Sequence, residues 1–494
     1  MNNLRYFLVI MCMVAHRRHN YKLDFREAKL RIKEEFKKSG YFWLPSAPER
    51  QIPGTLIITD GGNIELEVVG WFEEIIEGLN KAQNGQYELK RIIGHIEKHG
   101  LVTLDDCFSK NLNISFGGIS KSSVYVNKAL LGVAYDKEIV SINTFKFSVE
   151  GIDKWVGLSG IQVETQYENR TASITYLPPE EISLNLNNGM NLSITFSATP
   201  PRFPYTTEAK ITQKTYFKLV SEQERPLNDF TSAAYKITTL LGFAIDKTVC
   251  LEQVSVTSDA IRQDMGNNKT VPASISLYYA SQPYTEIEPK IEWHRMLFRF
   301  AQIQEDAERI VNNWFDAYEV IEPALNLYFS TKTAGYKYLE GKFLALAQGL
   351  ETYHRRTSNE KLMDEAVFKE LTENLINQCP EENKEWLSGR LQHGNEPNLR
   401  RRIKNIIEPF KRFIGTSQKR DKLITTIVET RNYLTHYDDS LESKAASGRD
   451  LWWLCLKMEA IFQLHLLQVL GFTQEEVQSV FDDSHELQQK LKEI

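Results

Sequence analysis

The chain has 494 residues, of which 42% are hydrophobic, 25% charged and 11% aromatic. These values are typical of globular proteins and exclude collagen-like, disordered and membrane-embedded classes, while the length favours two to four domains. The net charge of −6 excludes nucleic-acid binding through bulk positive charge, so any such binding requires a local basic patch.

The N-terminal segment and the cysteine pattern predict the cellular location of the protein. The apolar run at residues 6–15 is about half as long as a membrane-spanning helix, so we predict no membrane association. We assign residues 1–22 to an N-terminal extension, with a signal-peptide core as the less favoured interpretation. The five cysteines are scattered and never form a CxxC pair, which predicts neither a disulfide framework nor a zinc site and fits a reducing cytoplasm.

Residues 23–295 are predicted to form an antiparallel β-rich, sandwich-like domain, because short alternating apolar runs are separated by turn residues. Glycine-containing turns predict two hairpins, 55–59 with 64–69 and 182–186 with 192–196. Two segments interrupt the alternation: residues 70–101 tolerate a helix, and residues 226–244 read as a single helix. Further strands are predicted at 124–126, 145–149, 161–167, 171–176, 209–219, 249–256 and 273–279.

Residues 296–494 are predicted to form an all-α domain, because the apolar period lengthens to three and four. Helices are expected at 339–356 and 362–375. Residues 451–470 are almost wholly apolar and predict a buried central helix that ends at Gly471. Thr473 and Glu476 have capping-box spacing and predict the start of a polar helix near the C-terminus.

A basic run precedes the segment with the most chemical character. Between residues 400 and 422, only Glu408 and Asp421 oppose nine basic side chains. Two interpretations stand: contact with phosphates, and a solvated helix face, which is what most charge runs are. The candidate RNA-binding residues are Arg400, Arg401, Arg402, Lys404, Lys411, Arg412, Lys419, Arg420 and Lys422.

The next segment, residues 421–437, has a helical apolar stripe interrupted by Arg431, Asn432 and His436. Asn432 and His436 are four residues apart and share a face, and Arg431 lies about 100° from Asn432 around the helix. Histidine can exchange a proton near neutral pH, and arginine binds phosphate oxygens bidentately. With no carboxylate cluster, this set suits cleavage of RNA by its own 2′-hydroxyl without a metal ion or other cofactor. The alternative is an ordinary surface pair, since Arg-x4-His occurs by chance in many proteins.

Other histidine and glycine patterns give weaker evidence for a functional site. His95 and His99 have no third metal ligand in the sequence, so we predict no metal site. Residues 335–342 lack the spacing and the Ser or Thr of a phosphate-binding loop. His465 lies inside the apolar central helix and is predicted to be buried with a hydrogen-bond partner.

The residues 431–436, Arg-Asn-Tyr-Leu-Thr-His, resemble the Arg-x4-6-His motif of HEPN ribonucleases. Residues 342–356 resemble the early helix of ApeA-like HEPN domains. Three segments of the β-rich half, residues 40–45, 52–56 and 147–155, resemble the N-terminal domain of ApeA-type anti-phage proteins. Together this resemblance covers nearly the entire chain from about residue 38.

The resemblance implies a metal-independent endoribonuclease of the abortive-infection kind, acting on tRNA or another cellular RNA. It implies Arg431 and His436 as catalytic residues, with Asn432 as their polar companion. It also implies a homodimer through the HEPN domain, with Glu351, His354 and Arg355 bordering the cleft or forming a salt-bridged surface. The β-rich domain would then regulate the nuclease or sense a phage-derived trigger.

The competing hypothesis is a non-catalytic HEPN-type protein whose helical domain dimerises or binds a nucleotide, and whose β-rich domain recognises a ligand or phage protein. A binding module needs no catalytic pair, so substitution of Arg431 or His436 discriminates between the two hypotheses.

Overall fold

The computed structural model describes residues 30–72, 88–113, 120–135, 139–201, 207–266, 269–333, 336 and 338–492, and the predicted extension at residues 1–22 lies outside them. In this part of the chain, a β-rich region is followed by an all-helical region, as predicted. The boundary predicted at residue 295 is crossed by a continuous hydrophobic core.

The strands are β1 (Phe36–Trp43), β2 (Ile52–Thr59), β3 (Asn63–Val69), β4 (Glu88–Ile96), β5 (Gly100–Asn113), β6 (Lys121–Leu131), β7 (Ser141–Val149), β8 (Ile161–Gln166), β9 (Thr171–Tyr176), β10 (Ile182–Asn185), β11 (Asn191–Thr199), β12 (Thr212–Pro226), β13 (Leu251–Thr257), β14 (Arg262–Asp264), β15 (Thr270–Pro272) and β16 (Ile275–Tyr279). Both predicted hairpins are confirmed. The helix-tolerant interpretation of residues 70–101 is wrong where the structure describes it, because residues 88–96 form β4; residues 73–87 lie outside the described part.

The helices are α1 (Ile152–Val156), α2 (Leu227–Ile245), α3 (Phe300–Ile303), α4 (Ala307–Ser330), α5 (Leu339–Thr357), α6 (Glu365–Gln378), α7 (Lys384–Leu391), α8 (Leu399–Ile407), α9 (Lys411–Ile414), α10 (Ser417–His436), α11 (Asp439–Glu442), α12 (Gly448–Val469), α13 (Gln474–Asp483) and α14 (His485–Leu491). The predicted central helix is α12, which packs against α4, α5, α13 and α14. The capping box of Thr473 and Glu476 is also confirmed at the start of α13.

One half of the main sheet closes into a six-stranded barrel. Its order is β6-β3-β2-β1-β4-β5, and β5 pairs back onto β6. The other edge of β6 is divided: residues 121–126 pair with β3, and residues 128–131 pair with β16. β6 therefore joins the barrel to an open sheet with the order β10-β11-β12-β7-β13-β16.

The barrel is filled by its own side chains. Alternate residues of β3, including Ile64, Leu66 and Val68, point inward and are buried, as a period of two requires. Phe42 is fully buried, and a Cβ at Gly94 would lie 2.4 Å from its ring, so only glycine fits there. This barrel core forms a hydrophobic cluster separate from the main one.

The open sheet instead shares its core with the helices. α2 covers one face of this sheet and also packs on α4. The ring of Phe243 in α2 stacks on Trp314 of α4 at 5.8 Å, and the Trp314 Nε1 donates to the Lys236 carbonyl at 2.8 Å. Trp155 of α1, which packs on β12, donates from its Nε1 to the carbonyl of Phe298 at 3.1 Å. These contacts join the open sheet and its covering helices to the helical region.

A buried charge network reinforces this junction. Asp246 at the end of α2 and Glu459 of α12 both bind Lys332 and Lys490; the Lys490 Nζ lies 2.7 Å from Asp246 and 2.6 Å from Glu459. Burial alone would raise the pKa of each carboxyl group, but the two ammonium groups outweigh burial and hold both pKa values below their usual range. These contacts tie α2, α12 and α14 to the loop after α4.

Candidate functional site

α10 carries the predicted motif and is anchored along one side. Thr416 caps its N-terminus, accepting from the Lys419 N–H. The buried side chains of α10 pack toward α5, α8 and α11; they are Leu423, Ile424, Ile427, Thr430 and Leu434. Packing of this buried stripe fixes the rotation of α10 about its axis, and so determines which of its side chains face solvent.

Arg431, Asn432 and His436 lie together near the C-terminal end of α10. Arg431 and Asn432 are half-buried, and the Arg431 Nη1 donates to the Asn432 Oδ1 at 3.3 Å. His436 is exposed. Arg431 and His436 are about 140° apart around the axis at 100° per residue. They therefore point to different sides of the same helix end.

Arg431 keeps donors for a ligand. Within the described ranges no carboxylate forms an ion pair with its guanidinium, whose one side-chain acceptor is the neutral amide of Asn432. A guanidinium has five donors, and one bond to Asn432 holds it in place without cancelling its charge. The remaining donors of Arg431 can therefore bind a phosphate.

Two residues that the sequence pattern does not identify, Thr430 and Asp438, support the motif. Thr430 is fully buried on α10, and its Oγ1 accepts from the Ala446 N–H at 2.9 Å, which ties α10 to the loop before α12. Asp438 follows His436 closely; hydrogen bonds from Ser440 and then the nearby His436 lower its pKa, so it is a carboxylate. The Asp438–Ser440 spacing of a helix cap was a readable signal for Asp438, whereas the partner of Thr430 depends on the fold.

The residues predicted to border a cleft form an ion-pair network between α5 and α8. Arg355 binds Glu351 and Glu396, and Glu396 also binds Arg402 at 2.9 Å. His354 is buried beside the Arg402 Nη1 at 3.4 Å, and burial followed by the Arg402 charge lowers its pKa. Of the two alternatives for these residues, the structure shows the salt-bridged surface in the single chain.

The predicted basic run is largely occupied by contacts within the protein. Arg401 pairs with Glu360, Arg402 is buried against Glu396, and Lys411 pairs with Glu408. Two further arginines donate to backbone carbonyls, Arg412 to Gln474 and Arg420 to Gly415. Ion pairs with Glu360, Glu396 and Glu408 thus offset the charge of three of the nine basic residues.

One basic residue is brought onto the motif helix. The Arg400 Nη2 donates to the Thr425 Oγ1 of α10 at 2.8 Å. Thr425 and Asn432 are seven residues apart, so they lie on the same face about 10 Å apart along the axis. Arg400 therefore shares one side of α10 with Asn432 and His436. Within the described part, Lys404 and Lys422 are exposed and form no ion pair, and the Lys419 N–H donates to the Thr416 cap.

His465 is the buried histidine that the sequence predicts. Its Nε2 lies 2.8 Å from the Ile406 carbonyl, and burial lowers its pKa to about 4. It therefore belongs to the packing of α8 on α12. The described residues contain no group of three His, Cys, Asp or Glu side chains arranged to hold a metal ion. Nor does this part of the chain include a helix long and apolar enough to cross a membrane.

Comparison with protein families gives two matches that together span most of the chain. Residues 37–314 match the family model described as ApeA N-terminal domain 1, which is more than half of the chain. Residues 344–476 match the model described as Apea-like HEPN, and this range contains Arg431, Asn432 and His436. No curated protein and no solved structure matches.

Proposed function

Because the chain belongs to the ApeA family of HEPN-domain proteins, we propose that it is a metal-independent endoribonuclease that cleaves tRNA or another cellular RNA in anti-phage defence. The observation that carries the proposal is the pairing, on one helix of the HEPN match, of an exposed His436 with an Arg431 that lacks a carboxylate partner among the described residues.

His436 is the proposed general base. Its imidazole takes the proton of a ribose 2′-hydroxyl, and the oxygen attacks the adjacent phosphorus while the bond to the 5′-oxygen breaks. The products are a 2′,3′-cyclic phosphate and a 5′-hydroxyl. Asp438 places a carboxylate close to the imidazole that receives this proton.

Arg431 is the proposed electrostatic catalyst. Negative charge accumulates on the non-bridging phosphate oxygens in the transition state, and a guanidinium aimed at them stabilises that state more than the substrate. The bond from Arg431 to Asn432 fixes the guanidinium, so less conformational entropy is lost on binding. Asn432 is thus a positioning residue.

A homodimer completes the proposed site. The 5′-oxygen leaving group needs a proton donor, and one α10 supplies a single histidine at this end. Two α10 helices facing each other supply two, one as base and one as acid. The angle of about 140° between Arg431 and His436 suits a strand shared between two such helices.

We also assign the reception of a phage-derived trigger to the N-terminal region. Support comes from the shared core, in which α2 packs on β7 and β12 and its Phe243 stacks on Trp314 of α4. Hydrogen exchange of the full chain should then change in both α2 and α4 when a toxicity-eliciting phage protein is added. A change confined to α10 and α12 would contradict this assignment.

The nuclease is tested by mapping RNA ends in cells that produce the wild-type chain or His436→Ala, with and without phage. We expect site-specific cuts with 5′-hydroxyl ends that vanish in His436→Ala. His485→Ala is the matched control, because His485 is an exposed helical histidine outside the motif. Intact RNA in cells that the wild-type chain still protects would favour the non-catalytic binding function.

A further inference from the structure

The motif helix ends in an aromatic pair that the proposed chemistry leaves unused. Tyr437 follows His436 directly, and 60% of it is exposed. Its ring lies 5.6 Å from that of Tyr433, with the planes inclined at 63°. Tyr433 packs against the hydrophobic core and so gives Tyr437 a fixed support. A large, exposed and supported aromatic surface therefore adjoins the candidate base.

The backbone of Tyr437 makes this surface unusual. Tyr437 terminates α10 in the left-handed region, with φ 49° and ψ 44°, and its N–H donates to the Tyr433 carbonyl at 2.6 Å. Glycine normally occupies this position because a Cβ is strained there. A bulky tyrosine at this position costs stability, so its ring needs another explanation than folding. Strain of this kind, observed next to a candidate catalytic residue, points to function.

We propose that Tyr437, supported by Tyr433, is a stacking platform for an unpaired base beside the scissile phosphate. The inference rests on the proposed nuclease function and specifies its substrate as single-stranded or looped RNA. A base inside an RNA double helix has both faces covered by neighbouring bases, whereas an unpaired base can stack on an aromatic ring.

The other contacts of α10 agree with a strand lying along this helix. Arg400, bound at Thr425, lies about 10 Å along the axis from Asn432 on the same face and adds a cation on the side that carries His436. In the proposed dimer the RNA strand lies between two α10 helices, with His436 at the ribose, Tyr437 of the same helix beyond it, and an Arg431 at the scissile phosphate. Stacking at Tyr437 would then orient the ribose so that its 2′-hydroxyl meets the His436 imidazole.

The test separates the ring from the backbone that carries it. Tyr437→Phe keeps the ring, and Tyr437→Gly removes the ring while relieving the left-handed strain. Full-length chains that also carry His436→Ala are titrated with a fluorescent copy of the RNA cut in cells, as a single strand and annealed to its complement. Tyr167→Gly is the control, because Tyr167 is an exposed tyrosine in the turn between β8 and β9, outside the helical region.

We expect Tyr437→Gly to bind the single strand about tenfold more weakly or worse, while its melting temperature rises. Tyr437→Phe and Tyr167→Gly should bind as the parent does, and binding to the duplex should be weak for all. An abasic nucleotide at the cut should remove the difference between Tyr437→Gly and its parent.

Two results would overturn the platform. One is unchanged single-strand binding by Tyr437→Gly; the other is weaker binding that accompanies loss of the dimer in sedimentation, which would make Tyr437 an interface residue. A wrong nuclease assignment would give a different result: the chain with an intact His436 would leave the single strand uncut, whichever residue occupies position 437.

Discussion

The two halves of the N-terminal region use the same strand chemistry in different ways. The barrel closes through the β5–β6 pairing and buries its side chains in a cluster of its own. The open sheet leaves one face for α2, and its core continues through Trp314 into α12. Closure makes a unit that is complete without the helices, whereas an open sheet must find its second layer elsewhere. The open sheet is therefore the half through which the N-terminal region contacts the helical region that carries the proposed site.

The largest effect should come from Glu459→Ala, which removes one of the two carboxylates shared by Lys332 and Lys490 and leaves Asp246 to balance both buried ammonium groups. Removing one partner of a buried ion pair costs about 3–5 kcal/mol, and Glu459 serves two ammonium groups at close range. Hydrogen exchange should show lost protection in α2, α12 and α14, with β2 and β3 unaffected. Glu319→Ala is the control, since its exposed pair with Lys236 is worth about 1 kcal/mol or less. Equal loss in the barrel would refute the two-unit comparison.

The reverse experiment truncates the barrel core. Phe42→Ala should cost about 3–5 kcal/mol, because it removes a fully buried ring that packs against Gly94. We expect increased exchange in β1 to β4 and unchanged protection in α12. Tyr41→Ala, at the neighbouring outward-facing position with 56% exposure, should change little. Lost protection in α12 after Phe42→Ala would mean that the barrel is part of the shared core.

Acid should weaken the shared core through His465. The folded-state pKa is about 4 and the ordinary pKa is 6.5, so between these values the unfolded chain binds a proton that the folded chain does not. The stability is therefore complete above pH 6.5 and falls as the pH drops toward 4, by about 3 kcal/mol at 1.36 kcal/mol per pKa unit. Urea unfolding followed across this range should show the loss, and His465→Gln should flatten the profile. An equally steep profile in His465→Gln would assign the dependence to other groups.

The smallest effect concerns the position of α10. Thr430→Val removes the hydroxyl that accepts from the Ala446 N–H and should cost about 1 kcal/mol of stability. Because it also loosens the attachment of the motif helix, RNA cleavage should fall more than the folded fraction does. Thr430→Ser, which restores the acceptor, should recover both; cleavage that tracks only the folded fraction would make Thr430 purely structural.

The sequence was informative wherever a local pattern decides the structure. Alternation predicted β7 and β11, the 3.6-residue period predicted α5 and α12, and the capping box of Thr473 marks the start of α13. β4 was missed because it buries Arg91 against Asp105 on β5, and a single sequence does not state that pairing. The barrel closure depends on the same kind of long-range pairing.

The candidate site also has features that the sequence predicts and features that depend on the fold. The spacing of Arg431, Asn432 and His436 could be read directly, because all three lie on one helix. The contacts of the basic run could not be read in full, since Arg401 binds Glu360, which is 41 residues away in the sequence and reaches it only through the fold. The left-handed Tyr437 was also beyond a sequence pattern, because its residue type argues against that conformation.

The most direct test of the account is the cleavage of one RNA by the purified full-length chain in EDTA, with and without a single 2′-deoxy nucleotide at the mapped cut. We predict cleavage of the all-ribose strand to a 2′,3′-cyclic phosphate, none of the strand with the one deoxy sugar, and none of either strand by His436→Ala. Cleavage of the deoxy-substituted strand, or activity that EDTA abolishes, would contradict the proposed use of the 2′-hydroxyl by His436 and Arg431.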